Sequence, residues 1–425
     1  MVSINPCTSF STRTEKMESQ AMSSASVPDR FSRLNFWLLL LLAFCLPLST
    51  SAISVLAILV SLSWLLEGRY LEKFTEIRTN PVCLAVVGYL LLMVVGLLWA
   101  EDLRTGIQWL GKHWKIMLMP LFLTAVIYER RRWYLAAFLA GISVAMAMTY
   151  LAWFDLLHYA DVSPEHLTKK TFHVVYNPLL AFAIYTLCHE LTWGRPRGGW
   201  RLAGWCLAGV MVFNMFITEG RAGQLVFFAL LALYLFQLLR RQLVAALLLV
   251  AVLLPLSFSG SYLLSPMFKA RVDLACEEIR QFELNPQTSV GFRLHYWQNS
   301  WEMIKAAPLM GVGTGDFKAA YARINQQRSP QVPPTDNPHN QYVLAAASYG
   351  ALGLCALLAI FFAQFRQAGR DRDGLERLGQ AFPLFFLVIM LTESYLVVYQ
   401  TGFLFSLLSA VLYKQSSPLT DQGGA

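Results

Sequence analysis

Long apolar runs recur along most of this 425-residue chain, and they constrain its fold more than any other feature. A stretch of about 20 mainly apolar residues crosses the hydrocarbon core of a bilayer as a helix. Every backbone N–H and C=O group inside that core must be paired, and a helix pairs them within its own segment. Only 14% of the residues are charged, whereas a soluble globular domain carries about a quarter. The sequence therefore predicts an all-α polytopic membrane protein.

The apolar runs predict about twelve membrane-spanning helices, divided into two groups by one long polar segment. We expect helices one to nine within residues 31–258 and helices ten to twelve within residues 341–414. Residues 259–340 then form one large, partly helical loop. Residues 1–30, which are polar and Ser-rich, and residues 415–425 are predicted to be tails, the first of them disordered. The predicted spans are 34–49, 52–66, 82–100, 107–127, 133–153, 174–191, 200–217, 222–239, 242–258, 341–363, 379–396 and 398–413.

Lysine and arginine are spread unevenly over the predicted loops, and their distribution sets the orientation. Every second short loop is rich in these residues, and such loops stay in the cytoplasm. The pattern predicts that both termini are cytoplasmic and that residues 259–340 face the periplasm of a bacterial inner membrane. The residues that carry it are Arg30, Arg33, Arg69, Lys73, Arg78, Arg130, Arg131, Arg132, Arg195, Arg197, Arg201, Arg240, Arg241, Arg366, Arg370, Arg372, Arg377 and Lys414.

The distribution of basic residues, cysteines and histidines disfavours several classes of site and partner. The basic side chains are not gathered into one patch with aromatic residues, so no nucleic-acid partner is predicted. Cys276 is the only cysteine of the large loop, which excludes a disulfide within it. No Cys/His cluster has zinc-ligand spacing, and His158, His166 and His173 are interpreted as interfacial or loop residues. We therefore predict neither a metal nor a cofactor.

The large loop holds the sequences GFRLHYW, PLMGVGTGDF and DNPHNQY, where most of the polar chemistry is concentrated. His339 lies where the chain re-enters the membrane. Histidine titrates near neutral pH and accepts a proton from a hydroxyl group as that hydroxyl attacks. The alternative is an interfacial histidine at the level of the lipid headgroups. The neighbours Asp336, Asn337 and Asn340 favour catalysis.

Two arginines are predicted to lie on the same side of the membrane as His339. Arg221 follows Thr-Glu-Gly at the outer end of the predicted eighth span. Arginine near membrane depth faces a cavity or a partner, and its planar fork suits a phosphate group. The alternative is that Arg221 pairs with Glu219 or extends to the surface. Arg293, in the GFR sequence, lies just before a helix predicted over Tyr296–Ala307. Alone it would be an ordinary loop cation, but on the same side as Arg221 and His339 it is predicted to be a second clamp on a pyrophosphate.

Further residues are assigned supporting roles. Gly313, in the GVGTGDF turn, lets the backbone approach closely but lacks the ending of a nucleotide P-loop. Lys112 and Lys115 are three residues apart and share a helix face, where they either line the cavity or extend to the surface. Asn340 adjoins the candidate base. Glu393 is ionisable, and its role is left open.

The order of these motifs resembles the O-antigen ligase family. The similarity covers most of the chain in architecture, and its specific residues lie between Thr218 and Gly353. It implies a GT-C-like fold and a metal-independent, inverting transfer of a glycan from undecaprenyl pyrophosphate to lipid A–core oligosaccharide. By the same resemblance His339 is the catalytic base, and Arg221 and Arg293 bind the pyrophosphate. Glu219 departs from the family pattern, in which a small residue often precedes the arginine.

Alternative functions remain open at this point. An O-antigen polymerase or an O-linked protein oligosaccharyltransferase would share the chemistry and differ in the acceptor. A transporter of lipid-linked glycans is a different class, which predicts ionisable residues near the bilayer midplane and related halves. The candidate charges lie instead at the outer helix ends, and no repeat is visible.

Overall fold

The computed structural model describes residues 27–157, 162–163, 166–168, 173–194, 196, 198–282, 287–370 and 373–416. Most of both predicted tails, together with His158, Arg195, Arg197 and Arg372, lies outside the described residues. The described chain is built from α-helices, which confirms the predicted class. These are α1 Val27–Cys45, α2 Thr50–Glu67, α3 Tyr70–Thr79, α4 Pro81–Val95, α5 Leu103–Lys112, α6 Trp114–Met117, α7 Met119–Ala125, α8 Arg131–Trp153, α9 His173–His189, α10 Gly199–Ile217, α11 Arg221–Leu238, α12 Leu243–Leu264, α13 Pro266–Arg280, α14 Ser289–Ala306, α15 Phe317–Arg328, α16 Gln341–Arg370, α17 Glu376–Ile389 and α18 Tyr399–Tyr413.

Eight helical stretches among the described residues are long and apolar enough to cross a bilayer. The chain is therefore a multi-pass membrane protein, although the count of twelve spans is not confirmed. The run at 107–127, predicted to be one span, is divided into α5, α6 and α7. The helix breaks at His113, which has φ −94° and ψ 4°, and again just before Pro120. Because proline lacks an N–H donor, it favours the start of a new helix over the continuation of the old one.

The centre of the bundle is formed by α18, the last helix of the described chain. Every residue from Thr401 to Tyr413 is buried. It packs against α6, α7 and α16, and the ring of Phe405 lies 5.2 Å from that of Phe386 on α17. Both α18 and the Trp114–Ala125 segment are shorter than the eight long spans. Because these two short helices are surrounded largely by protein, their length need not match the thickness of a bilayer.

The bundle has two chemically different ends. At one end Arg131 contacts Asp373 at 2.6 Å, and the Tyr185 hydroxyl donates to Gln237 at 2.5 Å. At the other end lie the starts of α11 and α16, together with α13, α14 and the turn between α17 and α18. We call this second end the site end, because His339, Arg221 and Arg293 all belong to it.

Helix α14 begins earlier than the sequence predicted. The Thr288 hydroxyl accepts a hydrogen bond from the Gly291 N–H at 3.0 Å, so that α14 starts at Ser289 rather than near Tyr296. Side-chain oxygens at this position cap otherwise unpaired N–H groups of a first helical turn. Arg293 therefore lies within the helix, not in a loop before it, and its backbone is fixed.

The glycine turn joins the polar segment to α4 and α5. Gly313 has φ +106°, and a Cβ atom there would lie 3.1 Å from the Ala100 Cα atom. The Thr314 hydroxyl donates to the Met93 carbonyl at 2.5 Å, and the Asp316 carboxylate accepts from the Glu101 N–H at 2.5 Å. The close backbone approach at Gly313 is thus made to this protein's own chain.

Candidate functional site

The turn before α16 is fixed against the turn before α18. The Asn340 side chain accepts from the Tyr342 N–H at 3.0 Å and donates to the Leu391 carbonyl at 3.2 Å. The Gln341 N–H donates to the Met390 carbonyl at 3.0 Å. Asn340 therefore caps the start of α16 and ties it to the connection that precedes α18. This contact holds the preceding residue, His339, in place.

His339 pairs with Glu393 across these two turns. The His339 Nδ1 atom lies 2.5 Å from the Glu393 Oε2 atom. The other oxygen, Oε1, accepts from Asn337 Nδ2 at 2.6 Å and from the Ser394 N–H at 2.8 Å. Burial alone would raise the pKa of Glu393, but the hydrogen bonds from His339, Ser394 and Asn337 outweigh it, and the pKa is lower than usual. The carboxylate is therefore ionised near neutral pH.

An ionised carboxylate accepts hydrogen bonds only, which fixes the imidazole tautomer. In the neutral imidazole of His339, Nδ1 then carries the proton donated to Glu393, and Nε2 has the free lone pair. Since 35% of the His339 side chain is exposed, an incoming hydroxyl group has access to it. This arrangement is the geometry of an oriented general base.

The backbone of His339 is held in an uncommon conformation. Its φ is +52°, in the left-handed region that a residue with a Cβ atom enters at a cost of about 1–2 kcal/mol. The His339 N–H donates to Asn337 Oδ1 at 3.0 Å, and the Trp297 indole donates to the Pro338 carbonyl at 2.9 Å. The Tyr296 ring stacks on the imidazole at 6.0 Å between centroids. Such over-determined strain is concentrated at functional sites.

Arg221 and Arg293 line one cavity of about 460 Å³, together with Glu393. The structure therefore brings the two arginines together and connects them with His339 through its Glu393 partner. Arg293, on α14, is half-buried and has no ion-pair partner among the described residues. An unpaired guanidinium group beside a cavity is suited to an anionic ligand.

Arg221 does not pair with Glu219, the partner considered from sequence. Its Nη1 atom lies 3.3 Å from Glu278 Oε2 on α13. Glu219 instead contacts Arg271 Nη2 at 2.6 Å and the exposed His166 at 3.5 Å. Glu219, which differs from the small residue often found before this arginine in the family, thus leaves the Arg221 guanidinium free of itself. Arg221 faces the cavity and contacts Glu278.

Arg271 and Glu278 were not identified as site residues from sequence, although both line the cavity. They lie seven residues apart on α13, which is close to two helical turns and places them on one face. Their seven-residue spacing was the one signal in the sequence, and it does not show that α13 lies beside Arg221.

The two lysines lie outside this cavity. Lys112 is about half-exposed, lies 3.8 Å from Asp336, and is 5.1 Å from the centroid of Trp109. Lys115 is buried and donates to the carbonyls of Lys112 and Val397 at 2.7 and 2.9 Å. Lys115 therefore braces the break between α5 and α6 against the turn that carries Glu393.

A second cavity of about 720 Å³ adjoins the first, and Glu219 lines both. Its walls come mainly from α10 and α12 and are mostly apolar. They include Trp153, Phe213, Phe216 and Leu264. The site end thus presents a charged chamber beside an apolar one.

Comparison with known proteins gives one family match. Residues 206–358 match the family model described as O-Antigen ligase. The matched region contains Arg221, Arg293 and His339, whereas Glu393 and both lysines lie outside it. A search of curated proteins found no match. His158 and the side chain of His173 lie outside the described residues.

Proposed function

We propose that this membrane protein is a ligase that completes lipopolysaccharide, and the match of residues 206–358 to the O-Antigen ligase family model supports this proposal. The family supports a membrane glycosyltransferase of the ligase or polymerase type. Our proposal specifies the donor as undecaprenyl-pyrophosphate-linked O-antigen and the acceptor as a sugar hydroxyl of lipid A–core oligosaccharide. The reaction takes place at the periplasmic face of the bacterial inner membrane, with both termini in the cytoplasm.

The observation that carries the proposal is the 2.5 Å contact between His339 and Glu393, beside a cavity lined by Arg221 and Arg293. A glycosyl transfer from a pyrophosphate carrier needs a base for the acceptor hydroxyl and cations for the leaving group. His339 supplies the base, and the two arginines supply the cations. Both functions are then present within one end of the helix bundle.

The reaction balances without a further reactant. The acceptor oxygen forms a bond to C1 of the donor sugar while the bond from C1 to the pyrophosphate oxygen breaks. The acceptor proton passes to Nε2 of His339, and the bonding electrons leave with the pyrophosphate. Arg221 and Arg293 stabilise the negative charge that develops there. Attack from the face opposite the leaving group inverts the configuration at C1.

The ionised Glu393 acts through His339. As the imidazole gains a proton it becomes a cation, and the adjacent carboxylate stabilises that charge. The 720 Å³ apolar cavity provides room for the first units of a polyprenyl chain, since Glu219 lines both cavities. This placement supports a donor whose lipid lies between helices while its diphosphate faces the arginines.

The proposal is tested by transfer between purified donor and acceptor in proteoliposomes. We expect His339→Ala to abolish product formation while donor binding is retained. His295→Ala is the matched control, because His295 lies on α14 and packs against Phe282 at 4.8 Å between ring centroids. Undiminished turnover by His339→Ala would refute the base role. Product formed only with a carrier-linked glycan as acceptor would assign the chain as a polymerase instead.

A further inference from the structure

The described residues that line the charged cavity carry no net formal charge, which is an unfavourable environment for a diphosphate. Its charged side chains are Arg221, Arg271, Arg293, Glu219, Glu278 and Glu393. A diphosphate ester adds about two negative charges and would meet three carboxylates. Burying like charges together is costly unless one of them moves away or takes up a proton.

The three carboxylates differ in how firmly they are held. Glu393 has three hydrogen-bonding partners, including a backbone N–H group. Glu219 contacts Arg271 at 2.6 Å and lies two residues before the start of α11. Among the described residues Glu278 has one ion-pair partner, Arg221 at 3.3 Å, which belongs to a different helix. Because Glu278 has the fewest partners of the three, its contact is the one that a competing anion replaces most readily.

Helix α13 is anchored at the end remote from Glu278. The Ser265 hydroxyl donates to the Phe216 carbonyl at 2.7 Å. The buried Phe268 ring packs at 5.4 Å from Phe216 and at 5.4 Å from Phe258. Arg271 lies less than one turn beyond Phe268, whereas Glu278 lies nearly three turns beyond it. A rotation of α13 about Phe268 would therefore displace Glu278 further than Arg271.

We propose that Glu278 is an exchangeable counter-ion of Arg221, which a diphosphate displaces when it enters the cavity. The far end of α13 then swings outward, and Arg221 transfers its hydrogen bonds from carboxylate to phosphate oxygens. Glu278 thereby sets the affinity of the site and disfavours weaker anions. This inference rests on the proposed donor site and adds to it a means of control.

Cys276 provides a native reporter, because it is exposed on α13 between Arg271 and Glu278. A fluorophore is attached there in full-length protein whose other cysteines are changed to alanine. Inorganic pyrophosphate is the probe, and inorganic phosphate is the comparison. We expect a saturable change in emission with pyrophosphate and a weaker response with phosphate.

The decisive comparison is between two neighbouring carboxylates. Glu278→Gln should lower the Kd for pyrophosphate by about fivefold, since the competing ion pair is removed. Glu277→Gln removes the same charge from the same helix, but Glu277 bonds to Gln281 rather than Arg221, so its Kd should match the parent.

Three results would overturn the exchange: equal effects of the two substitutions, an unchanged or higher Kd in Glu278→Gln, or no response to pyrophosphate in any variant. The transfer assay separates this outcome from the proposed function. Intact exchange with no glycan transfer would refute the ligase proposal alone, and transfer without exchange would refute the present inference alone.

Discussion

Replacing Glu393 with glutamine tests whether an oriented histidine is the base. One carboxylate oxygen of Glu393 accepts two donors, Asn337 Nδ2 and the Ser394 N–H, and the other accepts from His339. An amide has only one acceptor oxygen. Asn337 Nδ2 and the Ser394 N–H both need this oxygen as their acceptor. The amide NH₂ group is therefore turned towards His339 Nδ1. Nδ1 must then become an acceptor, and the ring proton moves to Nε2.

Histidine in that tautomer cannot take a proton from the acceptor hydroxyl. Because positioned general base catalysis contributes about 10²–10⁴-fold, kcat of Glu393→Gln should fall by that range. The donor KM should not rise, since Arg221 and Arg293 are untouched. The double variant with His339→Ala should be no slower than His339→Ala alone, because the two residues act as one unit.

The assay is initial-rate transfer in proteoliposomes over a range of donor concentrations. A kcat within about threefold of wild type would contradict the reasoning, given the much larger loss expected. A loss confined to KM would also contradict it, because it would place Glu393 in donor binding. Asp316→Asn is a control for general disturbance of the polar segment. Asp316 is a buried carboxylate that accepts the N–H groups of Glu101 and Asp102, which do not line the cavity.

Three further outcomes are expected. Arg221→Ala and Arg293→Ala should each reduce transfer or donor binding by about tenfold or more, with partial recovery in the lysine variants, because lysine lacks the bidentate fork; full recovery would argue against that fork. Arg323→Ala, which removes an exposed arginine of α15, is their control. Chelation with EDTA should leave the transfer rate unchanged, whereas inhibition reversed by Mg²⁺ or Mn²⁺ would refute a metal-independent reaction. Since the pKa of Glu393 is lowered in the folded protein, its contribution to stability is present above its ordinary pKa of 4.5 and is lost as pH falls through the lower folded value. The difference in thermal midpoint between wild type and Glu393→Gln should therefore shrink with acidification below about pH 4.5, and a difference independent of pH would contradict the assignment.

The helical class was predictable because apolar length is a local property of the sequence. The helix α12 shows this, since its run of leucine and valine leaves little choice but a lipid-facing helix. The break at His113 was not predictable, because an apolar run of suitable length covers it. Lys115 braces the break, because its ammonium group bonds to a carbonyl of the turn before α18, 282 residues away in sequence.

The candidate site shows the same division. His339, Arg221 and Arg293 were recognised from their neighbours in sequence and from their predicted side of the membrane. Glu393 was seen as ionisable but not as the partner of His339, because 54 residues and two helices separate them. Arg271 and Glu278 required knowledge of where α13 lies. Contacts between distant segments depend on packing, which no local pattern encodes.

The enclosed position of α18 has a consequence for biosynthesis. A ribosome releases this helix after all the others described here, yet its residues from Thr401 to Tyr413 fill the middle of the bundle. The earlier helices therefore reach their final packing only after α18 has joined them. The turn that carries Glu393 precedes α18 directly, so it gains its final support at the same stage.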